Sequence, residues 1–104
     1  MKEAIRLAED INKDFISEID VGTYSDRVGL SKDRFSVIFR ERFGYAPYKY
    51  QLMLRINEAT YLLTHTDLPI CKISEMLGFS NQLYFSSAYR TQTGYSPTHI
   101  RKGL

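Results

Sequence analysis

The sequence predicts an all-α chain of seven helices carrying two helix-turn-helix units, and three observations lead there. Apolar residues recur at i, i+3, i+4 and i+7 along several segments, and no segment shows the strict alternation of a half-buried strand. Three prolines (Pro47, Pro69, Pro97) and six glycines (positions 22, 29, 44, 78, 94 and 103) fall at the breaks between those segments. Finally, a block near the start is repeated about 50 residues later.

The elements follow in order. Residues 2–18 read as an amphipathic first helix with Ile5, Ala8, Ile11, Phe15 and Ile16 as its inward stripe. Residues 21–28 form a short second helix. Residues 32–43 form a third, with Ser31 placed to accept from the first free N–H groups and Gly44 placed to stop it. Pro47 suits the first turn of a long fourth helix running to about Thr64, since its missing N–H has no helical partner there. Pro69 and Ile70 open a fifth helix ending near Leu77, and residues 81–93 form a sixth, stopped by Gly94. Ser96-Pro97 reads as N-cap and first helical residue of a short seventh.

Composition sets the bounds. At 104 residues the chain makes one small domain or two very small ones, and 43% hydrophobic with 25% charged residues is ordinary globular usage. Its apolar runs are too short to span a bilayer. The opening MKEAIRLAEDIN carries acids where an export signal needs a continuous apolar stretch. One cysteine, Cys71, excludes an intrachain disulfide and fits a reducing compartment, so a cytoplasmic location is expected. The net charge of +2 is unevenly spread. Residues 1–30 hold four basic and seven acidic side chains, whereas residues 31–104 hold ten basic and five acidic ones. A basic region facing a polyanion beside a non-contacting acidic one is the pattern this implies.

The repeat is the most informative feature. VGTYSDRVGLS (21–31) aligns with ICKISEMLGFS (70–80) at an offset of 49. Phe35, Ser36, Phe39, Arg40 and GYAP (44–47) then align with Phe85, Ser86, Tyr89, Arg90 and GYSP (94–97) at an offset of 50. The change of offset puts a one-residue insertion in the second unit's turn. Short helix, glycine turn and longer helix is the helix-turn-helix layout. Ser25 and Ser74 supply the small inward side chain needed where two helices cross closely, and Gly29 and Gly78 supply the positive φ that ends the short helix. Phe35, Ile38 and Phe39, and likewise Phe85, Ala88 and Tyr89, form inward stripes that leave a polar, basic face outward.

GYAPYKYQLMLRINEATYLL (44–63), ICKISEMLGFSNQLYFSSAYR (70–90) and GYSPTHIR (94–101), taken together, resemble the DNA-binding domain of the AraC/XylS family of bacterial transcription regulators over nearly the whole chain. The resemblance implies seven helices, with a first subdomain (1–46), a linker helix (47–65) and a second subdomain (66–104). It also implies that the longer helix of each unit enters a major groove. Some positions depart from the family pattern: Ser25 and Ser74 replace the usual alanine, Asn81 an aspartate, Tyr89-Arg90 a Phe-Lys pair, and Ile100 a tyrosine.

Carried over by position, the base-contacting residues are Asp33, Ser36 and Val37 in the first unit and Gln82, Leu83, Ser86 and Ser87 in the second. Their spacing agrees, since each set shares one helix face opposite the inward stripe. Gln82 can pair with adenine, Asp33 can accept from cytosine N4, and Val37 or Leu83 can rest on thymine methyls. With no arginine in the set, a modestly A·T-leaning, partly shape-read site is expected. Lys32, Arg34, Arg40, Asn81, Tyr84 and Arg90 are the phosphate candidates. Helix starts near Ser31, Pro47, Ser80 and Pro97 add backbone N–H groups for anions. Arg55 on the linker helix is expected in a structural ion pair. About 18 residues at ~1.5 Å each give the linker roughly 27 Å, so two recognition helices at its ends would meet groove segments about one turn apart, and one chain would read an asymmetric site as a monomer.

Other readings are weaker. Cys71 beside Ile70 and Ile73 reads as a small core or boundary residue, and His65 and His99 lack partners at metal-ligand spacing. His65 suits the end of the linker helix, where a cation is favoured. No glycine-rich phosphate loop is present, so neither catalysis, nor a cofactor, nor a metal is expected. The alternative is a helical protein-interaction module that contacts RNA polymerase or a regulatory domain, using the acidic first helix and Tyr45, Tyr48 and Tyr50. Those tyrosines are expected instead to pack the linker helix against its neighbours. Double-stranded DNA, RNA polymerase and an N-terminal sensing or receiver domain are the partners the resemblance implies, with no membrane. The chain is accordingly expected to be the output domain of a longer regulator, or a small stand-alone activator.

Overall fold

A computed structural model describes residues 1–103, and among them every regular element is a helix: α1 (Lys2–Lys13), α2 (Val21–Arg27), α3 (Lys32–Phe43), α4 (Pro47–His65), α5 (Ile70–Met76), α6 (Gln82–Thr93) and α7 (Pro97–Arg101). The chain divides into two compact units, Met1–Leu54 and the residues from Arg55 onward, with the division falling inside α4.

In the first unit the core is Ala4, Leu7, Ala8 and Ile11 of α1, Val21 of α2, and Phe35 and Phe39 of α3. Phe39 and Phe43 meet Tyr50 of α4 edge-on, with ring centroids 5.5 and 5.9 Å apart. Gln51, also on α4 and buried, donates its Nε2–H to the Ser17 carbonyl at 2.6 Å and so ties down the segment between α1 and α2.

That segment is where the helix expected over 2–18 ends early, at Lys13. The cause is Asp14. Its carboxylate accepts from the backbone N–H groups of Ile16 and Ser17, both at 3.1 Å, and from the Ser17 hydroxyl at 2.6 Å. Such a side-chain turn offers the backbone an alternative to the helix. Phe15 still packs against the core, but Ile16 is exposed and Ile5 only half-buried. The stripe that packs is Ala4, Leu7, Ala8 and Ile11.

In the second unit the buried residues are Ile56, Ala59, Leu62 and Leu63 of α4, Ile73 of α5, Leu77 and Phe79 of the turn, and Phe85 and Tyr89 of α6. The Tyr89 hydroxyl is paired with Thr60 Oγ1 at 2.7 Å. Arg101, at the end of α7, reaches back with three N–H groups to the carbonyls of Leu63, Thr66 and Leu68. It thereby satisfies acceptors that the end of α4 and the following loop would otherwise leave open. His65 ends α4 as expected, stacked on Tyr61 with Nδ1 3.0 Å from the Tyr61 carbonyl. Cys71 is exposed rather than a core or boundary residue; the residues that α5 buries are Ile73 and Ser74.

Candidate nucleic-acid interface

Both turns are Schellman motifs built on the same bonds. In the first, the N–H of Leu30 reaches Ser25 O at 3.0 Å and that of Gly29 reaches Asp26 O at 3.2 Å. In the second, Phe79 N–H reaches Ser74 O and Gly78 N–H reaches Glu75 O, both at 3.1 Å. Gly29 (φ +68°) and Gly78 (φ +82°) hold the left-handed conformation these bonds require. Ser25 and Ser74 are buried beneath the turns, as the small-residue argument demands.

The longer helices begin on side-chain caps. Ser31 Oγ accepts from Arg34 N at 3.1 Å, and Asn81 Oδ1 accepts from Tyr84 N at 2.7 Å. Ser31 aligns with Ser80 in sequence, yet Asn81 caps α6, so the one-residue insertion lies just before the cap. Asn81, expected at a phosphate, thus has a structural duty for its carbonyl oxygen. Gly44 and Gly94 close α3 and α6 in the left-handed conformation.

On α3, Phe35 and Phe39 are fully buried while Lys32, Asp33, Arg34 and Arg40 are exposed and Ser36 and Val37 half-buried. On α6, Phe85 and Tyr89 are buried; Gln82, Leu83, Tyr84, Ser87 and Arg90 are exposed and Ser86 is half-buried. Each expected base-contacting set therefore lies on one face of one helix, turned away from its own core. Leu83 stands out at 82% exposure, the largest value of any large apolar side chain among the described residues.

Lys32 is exposed at the start of α3. A Cβ at Gly22 would lie 2.8 Å from Lys32 Cε, so the lysine stem lies over the start of α2. Its charge is one of the influences holding the Asp20 carboxyl below the usual range; the chief one is the hydrogen bond from the Thr23 hydroxyl. Arg55, on α4, lies with its guanidinium 5.6 Å from the centroid of the Phe79 ring, a structural placement on its own unit's turn. The tyrosines expected to pack the linker helix divide. Tyr50 does so, but Tyr45 and Tyr48 are 41% and 61% exposed, with Lys49 over the Tyr45 ring. The Arg101 brace is a residue that sequence reasoning missed. Its only signal was its place at the end of GYSPTHIR, since its three partners are backbone carbonyls 33–38 positions away. No group of His, Cys, Asp and Glu that could hold a metal occurs among the described residues. No helix among them is long and apolar enough to cross a membrane.

Two short-helix, glycine-turn, long-helix units with outward polar faces define a tandem helix-turn-helix protein. Residues 24–103 match a family model described as a helix-turn-helix domain. The arabinose operon regulatory protein of Escherichia coli K12 is 34% identical over 103 residues, which are 99% of this chain and 35% of that protein. The C-terminal domain of AraT, a response regulator from Geobacillus stearothermophilus, superposes with a TM-score of 0.85 at 26% identity, covering 100% of this chain and 87% of that one. The DNA-binding domain of AdpA, solved in complex with a target DNA, has the same fold, with a TM-score of 0.82 at 24% identity and coverage of 97% and 91%. The chain belongs to the AraC-type helix-turn-helix family. It spans about a third of the length of the curated relatives it matches.

Proposed function

We infer that this chain is a sequence-specific double-stranded-DNA-binding module of a bacterial transcription regulator, with α3 and α6 as its two recognition helices. The observation carrying this is the paired outward face. In both units the residues at groove-facing positions are exposed or half-buried on one side of a capped helix whose other side is locked by buried aromatics. Asp33, Ser36 and Val37, with Gln82, Leu83, Ser86 and Ser87, would meet base edges, while Lys32, Arg34, Arg40, Asn81, Tyr84 and Arg90 would meet phosphates. On this reading residues 1–46 and 66–104 are the two reading subdomains and 47–65 their linker helix. The module acts in the cytoplasm without catalysis or cofactor, as the output of a longer protein with a sensing or receiver domain, and transmits occupancy to RNA polymerase. The exposed Tyr45 and Tyr48 favour a second reading of the first unit, as the surface a protein partner uses.

Equilibrium binding to mixed-sequence duplexes over a series of salt concentrations tests the reading. Log affinity should fall linearly with log salt, and Arg90→Ala should weaken all duplexes alike while making the slope shallower by about one. Binding that stays weak at low salt would overturn it in favour of the protein-interaction module.

A further inference from the structure

Asp33 and Leu83 occupy the same register position in their recognition helices, 50 residues apart and two residues before the first buried aromatic, Phe35 or Phe85. Their chemistry is opposite. Asp33 offers only a hydrogen-bond acceptor and a negative charge. Leu83 offers neither donor nor acceptor, and at 82% exposure most of it stands in solvent beside the exposed Gln82 and Ser87. The major groove presents one apolar group, the 5-methyl of a pyrimidine. Val37, the other apolar residue of the groove-facing sets, is half-buried and so less able to reach it.

Resting on the DNA-binding reading above, we propose that Leu83 makes this chain a reader of a single pyrimidine 5-methyl group, in the block read by α6. The recognised chemistry is the methyl and not the Watson–Crick identity of the base. Thymine carries it by default, deoxyuridine lacks it, and 5-methylcytosine carries it on the other pyrimidine. Binding at one position would therefore respond to cytosine-5 methylation.

The test uses a duplex selected by the chain from a random pool, with each thymine replaced in turn by deoxyuridine, which leaves every hydrogen-bonding group in place. One replacement should weaken binding about fourfold, the worth of roughly one buried methyl or methylene. In Leu83→Ala the same replacement should cost almost nothing, a coupling that assigns the methyl to this side chain. Cytosine placed at that position should regain about fourfold when methylated at C5. Because Leu83 is exposed, its truncation leaves the core intact, and the deoxyuridine series on the unaltered protein stands independently of any variant. Specific binding indifferent to every deoxyuridine overturns the proposal while leaving the DNA reading in place. So does a methyl effect that persists in Leu83→Ala. Failure to select any duplex overturns both.

Discussion

The two units share the turn, the capped longer helix behind it and that helix's buried aromatic pair, and differ in what supports them. Both close the turn with the same pair of backbone bonds, a left-handed glycine and a buried serine. Around it, the first unit fills its core with the Phe39–Phe43–Tyr50 cluster, whereas the second pairs Tyr89 with Thr60 and braces α7 through Arg101. The serines differ too. Ser25 donates to Gly22 O at 3.2 Å, while Ser74 Oγ is buried without a partner. The helix-turn-helix thus requires a small residue and a glycine at fixed spacing, and tolerates wide change in what supports them. The same freedom extends to the outward faces, where the register position held by Asp33 in the first unit is held by Leu83 in the second.

The largest effect should come from the brace present in only one unit. Arg101→Ala strips three carbonyls of their donor and should cost about 2–3 kcal/mol. Hydrogen exchange should quicken at the end of α4 and spare α1 to α3. Arg101→Lys should recover little, because an ammonium cannot span three acceptors as the guanidinium fork does. An unchanged denaturation midpoint would show that the brace is ornamental.

Next come the features the units share. Gly29→Ala and Gly78→Ala should each cost about 1–2 kcal/mol, the penalty of a left-handed non-glycine residue. Nothing lies within 4 Å of a Cβ at Gly29, so the loss there is conformational and not steric. Unequal losses would mean that the turns are less alike than their bonds.

The serines should then respond with opposite signs. Ser74→Ala removes an unsatisfied buried hydroxyl and should stabilise by about 1 kcal/mol, whereas Ser25→Ala loses a bond and should destabilise by about 0.5–1 kcal/mol. Urea denaturation of the two variants side by side would settle the signs.

The smallest effect is confined to the first unit at alkaline pH. The Tyr24 hydroxyl donates to Asp10, and that bond, with burial, raises its pKa above the ordinary value. A group raised in the folded state lends stability below its unfolded pKa of ~10 and loses it as pH climbs through the folded one. Tyr24→Phe should therefore remove this contribution below pH ~10, leaving no added loss from position 24 above it. A stability profile identical to the parent's would show that the bond contributes nothing.

What was legible in the sequence was what neighbours in the chain decide: the glycine stops, the Ser31 and Ser96 caps, and the inward serines. Helical period gave the inward aromatics of α3 and α6, although Ile38 and Ala88 of the same stripes are only half-buried; the groove-facing residues rested on the family resemblance, with which the period agrees. The end of α1 was misplaced because Asp14's local turn competes with a periodicity that continues past it. Arg101 was illegible for the opposite reason, since its partners are distant carbonyls that carry no side-chain signature. The exposure of Tyr48 beside the buried edge of Tyr50 likewise depends on the rotation of α4, not on residue type.

The central claim, that both units read bases, is tested most directly by selecting bound duplexes from a random library at near-physiological salt and sequencing them. The account predicts one asymmetric site with two unlike blocks about one helical turn apart. Asp33→Ala should relax one block, and Leu83→Ala the other. A single enriched block, insensitive to one of these substitutions, would contradict it.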